Sequence, residues 1–260
     1  MIDTHCHLTF AKLRQRVDEV LRDAKAAGVD RMICVGITET DIAAARGLAE
    51  EHDGVFYTTG IHPHYAAEQT AGAVASMIEQ GGHGKCVAYG EMGLDYHYDD
   101  PPREVQHEAL AAQLAAVGSA GEALPIVIHC RKAVDDVLAK IRESGLSEGR
   151  FVFHCFTETS AECVKVLDAG CMVSFTGIVT YKNAPEVRAA AKLVPWDRIM
   201  VETDAPYLSP EPHRKVRPNE PKFVVDTARF LAELRGVPFE EFVGQTDENA
   251  ERFFGLGGGA

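Results

Sequence analysis

Eight short apolar segments recur along the 260-residue chain, and segments of helical character separate them. Most of the eight are continuously apolar and rich in β-branched residues, which is typical of strands that are buried on both faces. They are Met1–Thr4, Arg31–Ile37, Val55–Gly60, Lys85–Gly90, Pro125–His129, Phe151–His154, Cys171–Phe175 and Ile199–Glu202. Eight strands alternating with helices predict an α/β fold, a (β/α)8 TIM barrel that forms a single domain over residues 1–260.

Three of the intervening segments carry apolar residues spaced by three and four, as on one face of a helix. They are Arg16–Ala27, Glu104–Ala120 and Ser160–Ala169. Gly28 and Gly170 directly follow two of them, as expected of residues that end a helix. An open doubly wound sheet is the alternative architecture. The glycine-rich tail, residues 255–260, is expected to be frayed.

Histidines and carboxylates stand where several of the apolar segments end. They are His5, His7, Glu91, His129, His154 and Asp204. The carboxyl ends of barrel strands lie at one face, and the active sites of TIM barrels are built there. These residues come from the first, fourth, fifth, sixth and eighth segments. Only a closed ring brings the first and eighth strands to the same point, so the pattern favours a barrel over an open sheet.

The six residues have the chemistry of metal ligands. His5 and His7 are two positions apart, which puts both imidazoles on the same side of an extended strand. Imidazole suits zinc and similar ions, whereas carboxylates also suit magnesium and manganese, and Glu91 can bridge two cations. Six candidate ligands predict a centre of two divalent metal ions: magnesium, manganese or zinc. For each histidine alone, a hydrogen-bonded structural role is the alternative, and for Asp204 a helix N-cap.

The charge of this centre bears on its substrate. The formal net charge of −13 argues against broad electrostatic binding to duplex nucleic acid. Two divalent cations would bring +4 and the two carboxylates −2, so the local sum of +2 would still attract an anion. Two-metal sites suit displacement at phosphorus with a metal-activated hydroxide. Asp204 and Glu91 are the predicted catalytic residues, Asp204 by accepting a proton from the attacking water.

Three basic side chains follow other strands and are expected to orient a substrate phosphate. They are His62, Arg131 and Arg217. Arg217 belongs to an unusual loop, Ser209–Pro221, which carries four prolines. A solvated surface loop without a role in binding is the alternative there. Tyrosines at the rim would favour stacked bases, and the candidates are Tyr65, Tyr96, Tyr98, Tyr181 and Tyr207.

The whole chain resembles the TatD family of metal-dependent deoxyribonucleases, within the amidohydrolase-like barrels. The motifs that carry the resemblance are DTHCHL from Asp3, GIHPH from Gly60, GEMGLDY from Gly90, PIVIHCR from Pro125, FHCF from Phe153, ETDAPYLSP from Glu202 and NAERFFGL from Asn249. The resemblance implies a TIM barrel, a divalent-metal-dependent hydrolase, ligand roles for the six residues above, and a role for His62 in holding the substrate. Many members of the family are assigned 3′-exonuclease activity on DNA, and a few related proteins are assigned to deacylating aminoacyl-tRNA.

One loop departs from the family pattern. Family members commonly read PHRGKRNEP after the eighth strand, whereas Pro212–Pro221 reads PHRKVRPNEP. This stretch has one more residue and lacks the glycine, so its path is expected to differ. The metal ligands are untouched by the change.

These observations rank three functions. The leading hypothesis is a deoxyribonuclease of 3′-exonuclease type that acts on DNA, at single strands or ends. The alternative is a metal-dependent hydrolase of a carboxylic ester or amide, such as an aminoacyl-tRNA ester or a lactone. A non-catalytic binding protein on a barrel scaffold is the third.

Composition adds an expectation about the location of the protein. Seven cysteines without a CxxC pair predict buried, reduced thiols in a cytoplasmic protein. No apolar run approaches the roughly 18 residues of a membrane span. We therefore expect no membrane association, and we expect no obligate protein partner.

Overall fold

The computed structural model describes residues 1–121 and 124–256 as a ring of eight parallel strands surrounded by helices. The strands are β1 (Ile2–Cys6), β2 (Arg31–Val35), β3 (Val55–Thr59), β4 (Cys86–Asp95), β5 (Ile126–Arg131), β6 (Phe151–Phe153), β7 (Met172–Phe175) and β8 (Ile199–Val201). The helices are α1 (Ala11–Arg14), α2 (Val17–Ala26), α3 (Glu39–Glu51), α4 (Ala71–Gly81), α5 (Arg103–Ala120), α6 (Val134–Ser144), α7 (Ser160–Asp168), α8 (Pro185–Leu193), α9 (Val224–Arg235) and α10 (Phe239–Phe254). Short 3-10 helices span Pro63–Glu68, Glu148–Arg150, Gly177–Thr180, Trp196–Arg198 and Pro221–Phe223.

The strands pair in sequence order from β1 to β8, each parallel to the next. The ring closes between the end of β1 and the residues just after β8. There the Asp204 N–H donates to the His5 carbonyl at 2.9 Å, and the His7 N–H donates to the Ala205 carbonyl at 2.7 Å. Cys6 and Ala205 form a parallel bridge. The predicted TIM barrel is confirmed, and the open sheet is wrong.

The barrel interior is filled at the end opposite the strands' carboxyl termini. Its apolar side chains are contributed by most of the strands, by the end of α10 and by a residue just after it: Ile2, Ile33, Val87, Ala88, Val127, Val152, Met172, Met200, Ala250, Phe254 and Leu256. Leu256 is 9% exposed, and its N–H donates to the Glu251 carbonyl at 3.0 Å. The part of the predicted frayed tail beyond Leu256 lies outside the described residues.

Strand β4 is longer than its apolar segment predicts. It runs to Asp95 rather than ending at Gly90, so Glu91 lies within the strand and not after it. The pairing of β4 with β5 shifts between Tyr89 and Met92, as at a β-bulge. Bulges re-aim side chains beside active sites, and this one directs Glu91 toward the barrel axis.

Two glycines let β4 approach β5 closely at this bulge. Gly90 has a φ of 114°, and a Cβ there would lie 2.3 Å from the Val127 carbonyl oxygen. Gly93 has a φ of 155°, and a Cβ there would lie 1.8 Å from the His129 carbonyl oxygen. Any side chain would force the strands apart. In the sequence these glycines suggest the end of a strand. In the structure they allow the strand to continue.

The other predicted boundaries differ from the observed ones by at most two residues. The predicted helices correspond to α2, α5 and α7, and Gly28 and Gly170 follow α2 and α7 with φ values of 88° and 85°. The seven cysteines are thiols, and six of them are buried. Within the described ranges, no helix combines the length and apolarity needed to cross a bilayer.

Candidate metal centre

The barrel brings the six candidate ligands together at the carboxyl ends of its strands. Their imidazole nitrogens and carboxylate oxygens form overlapping groups, in each of which the ligand atoms lie within 4.8 Å of one another. Four of these residues are almost completely buried, because His5, His7, Glu91 and His154 each expose at most 5% of their surface. The sequence prediction that these residues converge is consistent with this geometry.

The first group joins the ends of β1 and β8. His5 Nε2 and His7 Nε2 lie 3.3 Å apart. Asp204 Oδ1 is 3.3 Å from the His7 nitrogen and 3.8 Å from the His5 nitrogen. The His7 and Asp204 side chains remain 6% and 16% exposed and reach the cavity above the centre.

The second group surrounds one oxygen of Glu91. His129 Nδ1 and His154 Nε2 each lie 2.8 Å from Glu91 Oε1. His62 Nε2 lies 3.3 Å from the same oxygen and 3.2 Å from His129 Nδ1. The other oxygen, Oε2, is 3.4 Å from His5 Nε2. Glu91 therefore stands between the two groups, with one oxygen turned toward each.

The donor set fits divalent cations. A neutral imidazole carries one N–H, so only one of two facing imidazole nitrogens can donate a hydrogen bond to the other. Ionised carboxylates only accept hydrogen bonds. A cluster of such nitrogens around carboxylates therefore has too few hydrogens for every close contact to be a hydrogen bond. Zinc–nitrogen bonds of about 2.0–2.1 Å at tetrahedral angles would separate two ligand atoms by about 3.3–3.4 Å. The 3.3 Å separations of His7 Nε2 from His5 Nε2 and from Asp204 Oδ1 match that spacing. We therefore take both groups as able to hold a metal ion.

The electrostatics of the cluster keep its carboxylates ionised. Burial raises the pKa of Glu91, but the neighbouring imidazoles of His154 and His62 outweigh it and hold the pKa well below its usual range. Burial also raises the pKa of Asp204, and its hydrogen bond with His7 more than compensates. Negative charge at both positions is the state that a cation needs.

Two acidic residues that were not predicted from the sequence contact ring nitrogens of the histidines. Asp95 Oδ2 lies 3.1 Å from His129 Nε2 and 3.1 Å from His64 Nε2. Glu202 Oε1 lies 3.2 Å from His154 Nδ1. Metal-ligating histidines commonly donate their second ring N–H to a carboxylate, which fixes the orientation of the ring. A signal was available, because both carboxylates occur in the motifs GEMGLDY and ETDAPYLSP beside the candidate ligands.

The three predicted phosphate-binding residues occupy three different environments. His62 lies within the second group, and burial lowers its pKa to about 4, so that it is neutral at neutral pH rather than cationic. Arg131 lines the cavity above the centre, with its guanidinium 5.1 Å from the Tyr98 ring centroid. Arg217 lies apart from this cavity, in a neighbouring groove.

The cavity above the centre has a volume of about 1330 Å³. That exceeds the 300–1,000 Å³ typical of small-molecule sites. Four of the five predicted rim tyrosines line it: Tyr65, Tyr98, Tyr181 and Tyr207. Tyr96 does not, because its hydroxyl is bonded to His107 and Asp136 at 2.6 Å each.

The loop after β8, whose sequence differs from the family pattern, is anchored at both ends. Ser209 and Asn219 are buried, and the Asn219 amide donates to the Thr203 carbonyl at 3.0 Å. Residues 215–217 between them are exposed. The loop is therefore fixed against the barrel beside Asp204, with a solvated middle.

The family model described as "TatD related DNase" matches residues 2–255. The chain belongs to the TatD family. It is 39% identical to the uncharacterized metal-dependent hydrolase YabD of Bacillus subtilis, over 98% of each chain. It is 34% identical to the 3'-5' ssDNA/RNA exonuclease TatD of Erwinia amylovora, over 98% of this chain and 100% of that protein. Among solved structures, the TatD homologue YjjV of Escherichia coli K12 superposes with a TM-score of 0.91 at 26% identity, over 98% of each chain. The protein is a metal-dependent hydrolase of this family.

Proposed function

We propose that this TatD-family protein is a deoxyribonuclease of 3′-exonuclease type, which hydrolyses phosphodiester bonds at the ends of single strands. The observation that carries the proposal is Glu91, whose two oxygens face two groups of ligand atoms beneath a cavity large enough for a polymer end. Two adjacent cations suit in-line displacement at phosphorus. The relative from Erwinia amylovora, named as an ssDNA/RNA exonuclease, supports the same substrate class.

The proposed ligands follow the two groups. His5, His7 and Asp204 would hold one ion, His129 and His154 the other, and Glu91 would contact both. When bound, the divalent ions polarise a phosphoryl oxygen and make water a stronger nucleophile.

Asp204 is the proposed proton acceptor. Its carboxylate is the more exposed of the two in the centre, with 16% of the side chain open against 3% for Glu91. Its backbone has a φ of 52°, and its N–H is held by the His5 carbonyl. This fixed carboxylate can accept the proton of the attacking water, while Arg131 supplies positive charge for the phosphate at the cavity wall.

Hydrolysis of end-labelled single-stranded DNA tests the proposal. We expect nucleotide release from the 3′ end with magnesium, manganese or zinc. We also expect the rate to vanish after removal of metal with a chelator and to return when metal is restored. Aminoacyl esters and lactones serve as contrasting substrates. Turnover of these without release of nucleotides, by folded and metal-loaded protein, would overturn the proposal in favour of carboxylic ester hydrolysis.

Glu202→Gln tests the carboxylate that orients His154. Besides His154, Glu202 accepts the Cys155 N–H at 2.6 Å and the Ser174 hydroxyl at 2.6 Å. We expect metal affinity to fall about 10- to 100-fold, measured by competition with a chromophoric chelator. An exposed glutamate on α9 provides the control Glu233→Gln. Equal affinities of the two variants, with both folded, would contradict the orienting role.

The cytoplasmic location stays a prediction. The buried thiols support it, since proteins of oxidising compartments more often pair their cysteines.

A further inference from the structure

A second groove adjoins the cavity above the metal centre. It has a volume of about 540 Å³, and its walls include Phe10, Lys12, Tyr207 and Arg217. Phe10 and Tyr207 line both the groove and the main cavity. Their rings meet edge to face, with centroids 6.0 Å apart at 85°, and so form an aromatic ridge between the two spaces.

Both residues of the ridge contact candidate ligands of the metal centre. The Phe10 ring stacks on His7, with centroids 4.9 Å apart. The Tyr207 N–H donates to the Asp204 carbonyl at 3.0 Å, while half of the Tyr207 residue is exposed to solvent. An aromatic ring whose backbone is held by a hydrogen bond and whose side chain is exposed to solvent is suited to stacking against an unpaired nucleic-acid base.

Two cations border the groove beyond the ridge. Lys12 and Arg217 are both exposed, and within the described residues neither has an acidic side chain as an ion-pair partner. Other basic side chains nearby are engaged, such as Arg16 with Glu220. On a protein of net charge −13, two unpaired cations beside an aromatic ridge match the alternation of phosphate and base in a single strand.

We propose that this groove is a second nucleotide subsite, in which Tyr207 stacks on a base and Lys12 and Arg217 bind the backbone phosphates that follow. The proposal rests on the function proposed above. The 3′ end would occupy the main cavity over the metal centre, and the strand would leave across the Phe10–Tyr207 ridge. This assignment also gives Arg217 a phosphate-binding role away from the bond that is cleaved.

The exposed Tyr207 ring makes the groove selective for single strands. A base can lie on Tyr207 only if it is not stacked and paired within a duplex. The occupant is therefore the continuation of an unpaired strand, and duplex DNA should not fill the groove.

Binding of short oligonucleotides tests the subsite. The probes are thymidine dimers and hexamers with phosphorothioate linkages and a 5′ fluorophore, titrated with metal-loaded protein and followed by anisotropy. We expect Tyr207→Ala to weaken hexamer binding roughly tenfold, and Tyr207→Phe to retain the parent affinity. The dimer, which fits the main cavity, should lose much less affinity than the hexamer in the Tyr207→Ala variant, because Tyr207 only borders that cavity.

The salt dependence tests the two cations separately. Lys12→Ala and Arg217→Ala should each lower the slope of log Kd against log salt for the hexamer by about 0.7, the value for one phosphate contact with a single strand. Lys25→Ala, on the outer surface of α2, is the matched control and should leave the slope unchanged. Unchanged slopes in the Lys12 and Arg217 variants would overturn the proposal.

Two further outcomes would also overturn the subsite. One is an equal loss of dimer and hexamer binding in the Tyr207→Ala variant. The other is weaker hexamer binding by Tyr98→Ala in place of Tyr207→Ala. Tyr98 lies beside His64 and Arg131, on the side of β3 and β5, so this result would place the strand on a different path from the groove. A protein that hydrolyses no nucleic acid at all would refute the proposed function. A nuclease whose variants bind the hexamer as the parent does would refute the subsite alone.

Discussion

Replacing Glu91 by glutamine or alanine is expected to abolish hydrolysis of single-stranded DNA while leaving the barrel folded. Loss of a group that merely orients a metal ligand costs about 10- to 100-fold in affinity or activity. Glu91 contacts both ligand groups, so its loss should cost more than about 100-fold. Glutamine has the size of glutamate but offers a single oxygen, and it cannot supply negative charge to two cations.

The fold should survive this change because Glu91 is not part of the apolar interior. Its partners are the imidazoles of the centre, which can be neutral once the carboxylate is removed. The measurements are the initial rate of nucleotide release, the metal content of the purified variant and its thermal unfolding by circular dichroism. We expect less bound metal and a Tm within about 5 °C of the metal-free parent. Glu233→Gln is the control, and a Glu91→Gln variant that retained more than a tenth of the parent rate would contradict the bridging role.

The second large effect is expected for Asp204→Asn, in which hydrolysis should slow about 10²- to 10⁴-fold, the usual contribution of a general base. The asparagine oxygen can still contact a cation, but the amide cannot accept the proton of the attacking water. The fall should therefore appear in kcat, with KM and metal content near those of the parent.

Kinetics on an end-labelled oligonucleotide, with metal content measured on the same samples, check this separation. Asp168→Asn, an exposed change at the end of α7, is the matched control. A rise in KM with unchanged kcat would assign Asp204 to substrate binding instead. Loss of metal in parallel with activity would reduce its role to that of a ligand.

The sequence predicted the architecture well because the relevant signals are local. Continuous apolar segments mark strands buried on both faces, and their number and alternation with helices favour one ring. The error at β4 shows the limit of local signals. Gly90 and Gly93 look like the end of a strand, yet a bulge and a close approach to β5 carry the strand on to Asp95.

The candidate site was predicted in part. Strand-end positions sufficed to select six residues that converge, since parallel strands of a closed barrel direct their carboxyl ends to one face. The motifs GEMGLDY and ETDAPYLSP contain Asp95 and Glu202, but position along the chain could not reveal that these carboxylates contact the histidines. Nor could it reveal that Arg217 faces a separate groove, because each of these contacts joins residues that are distant in sequence.

By itself, the sequence predicted the number of strands, favoured the closure of the ring and selected six of the side chains gathered at its open face. Periodicity and residue chemistry are properties of short segments, and they survive without knowledge of distances. The tertiary structure alone decided which atoms face one another: that Glu91 directs its two oxygens toward two groups, that His62 lies in the group around Glu91 Oε1, and that Tyr207 lines two cavities. Those contacts depend on the bulge in β4 and on packing across the barrel, which join residues that are distant in sequence.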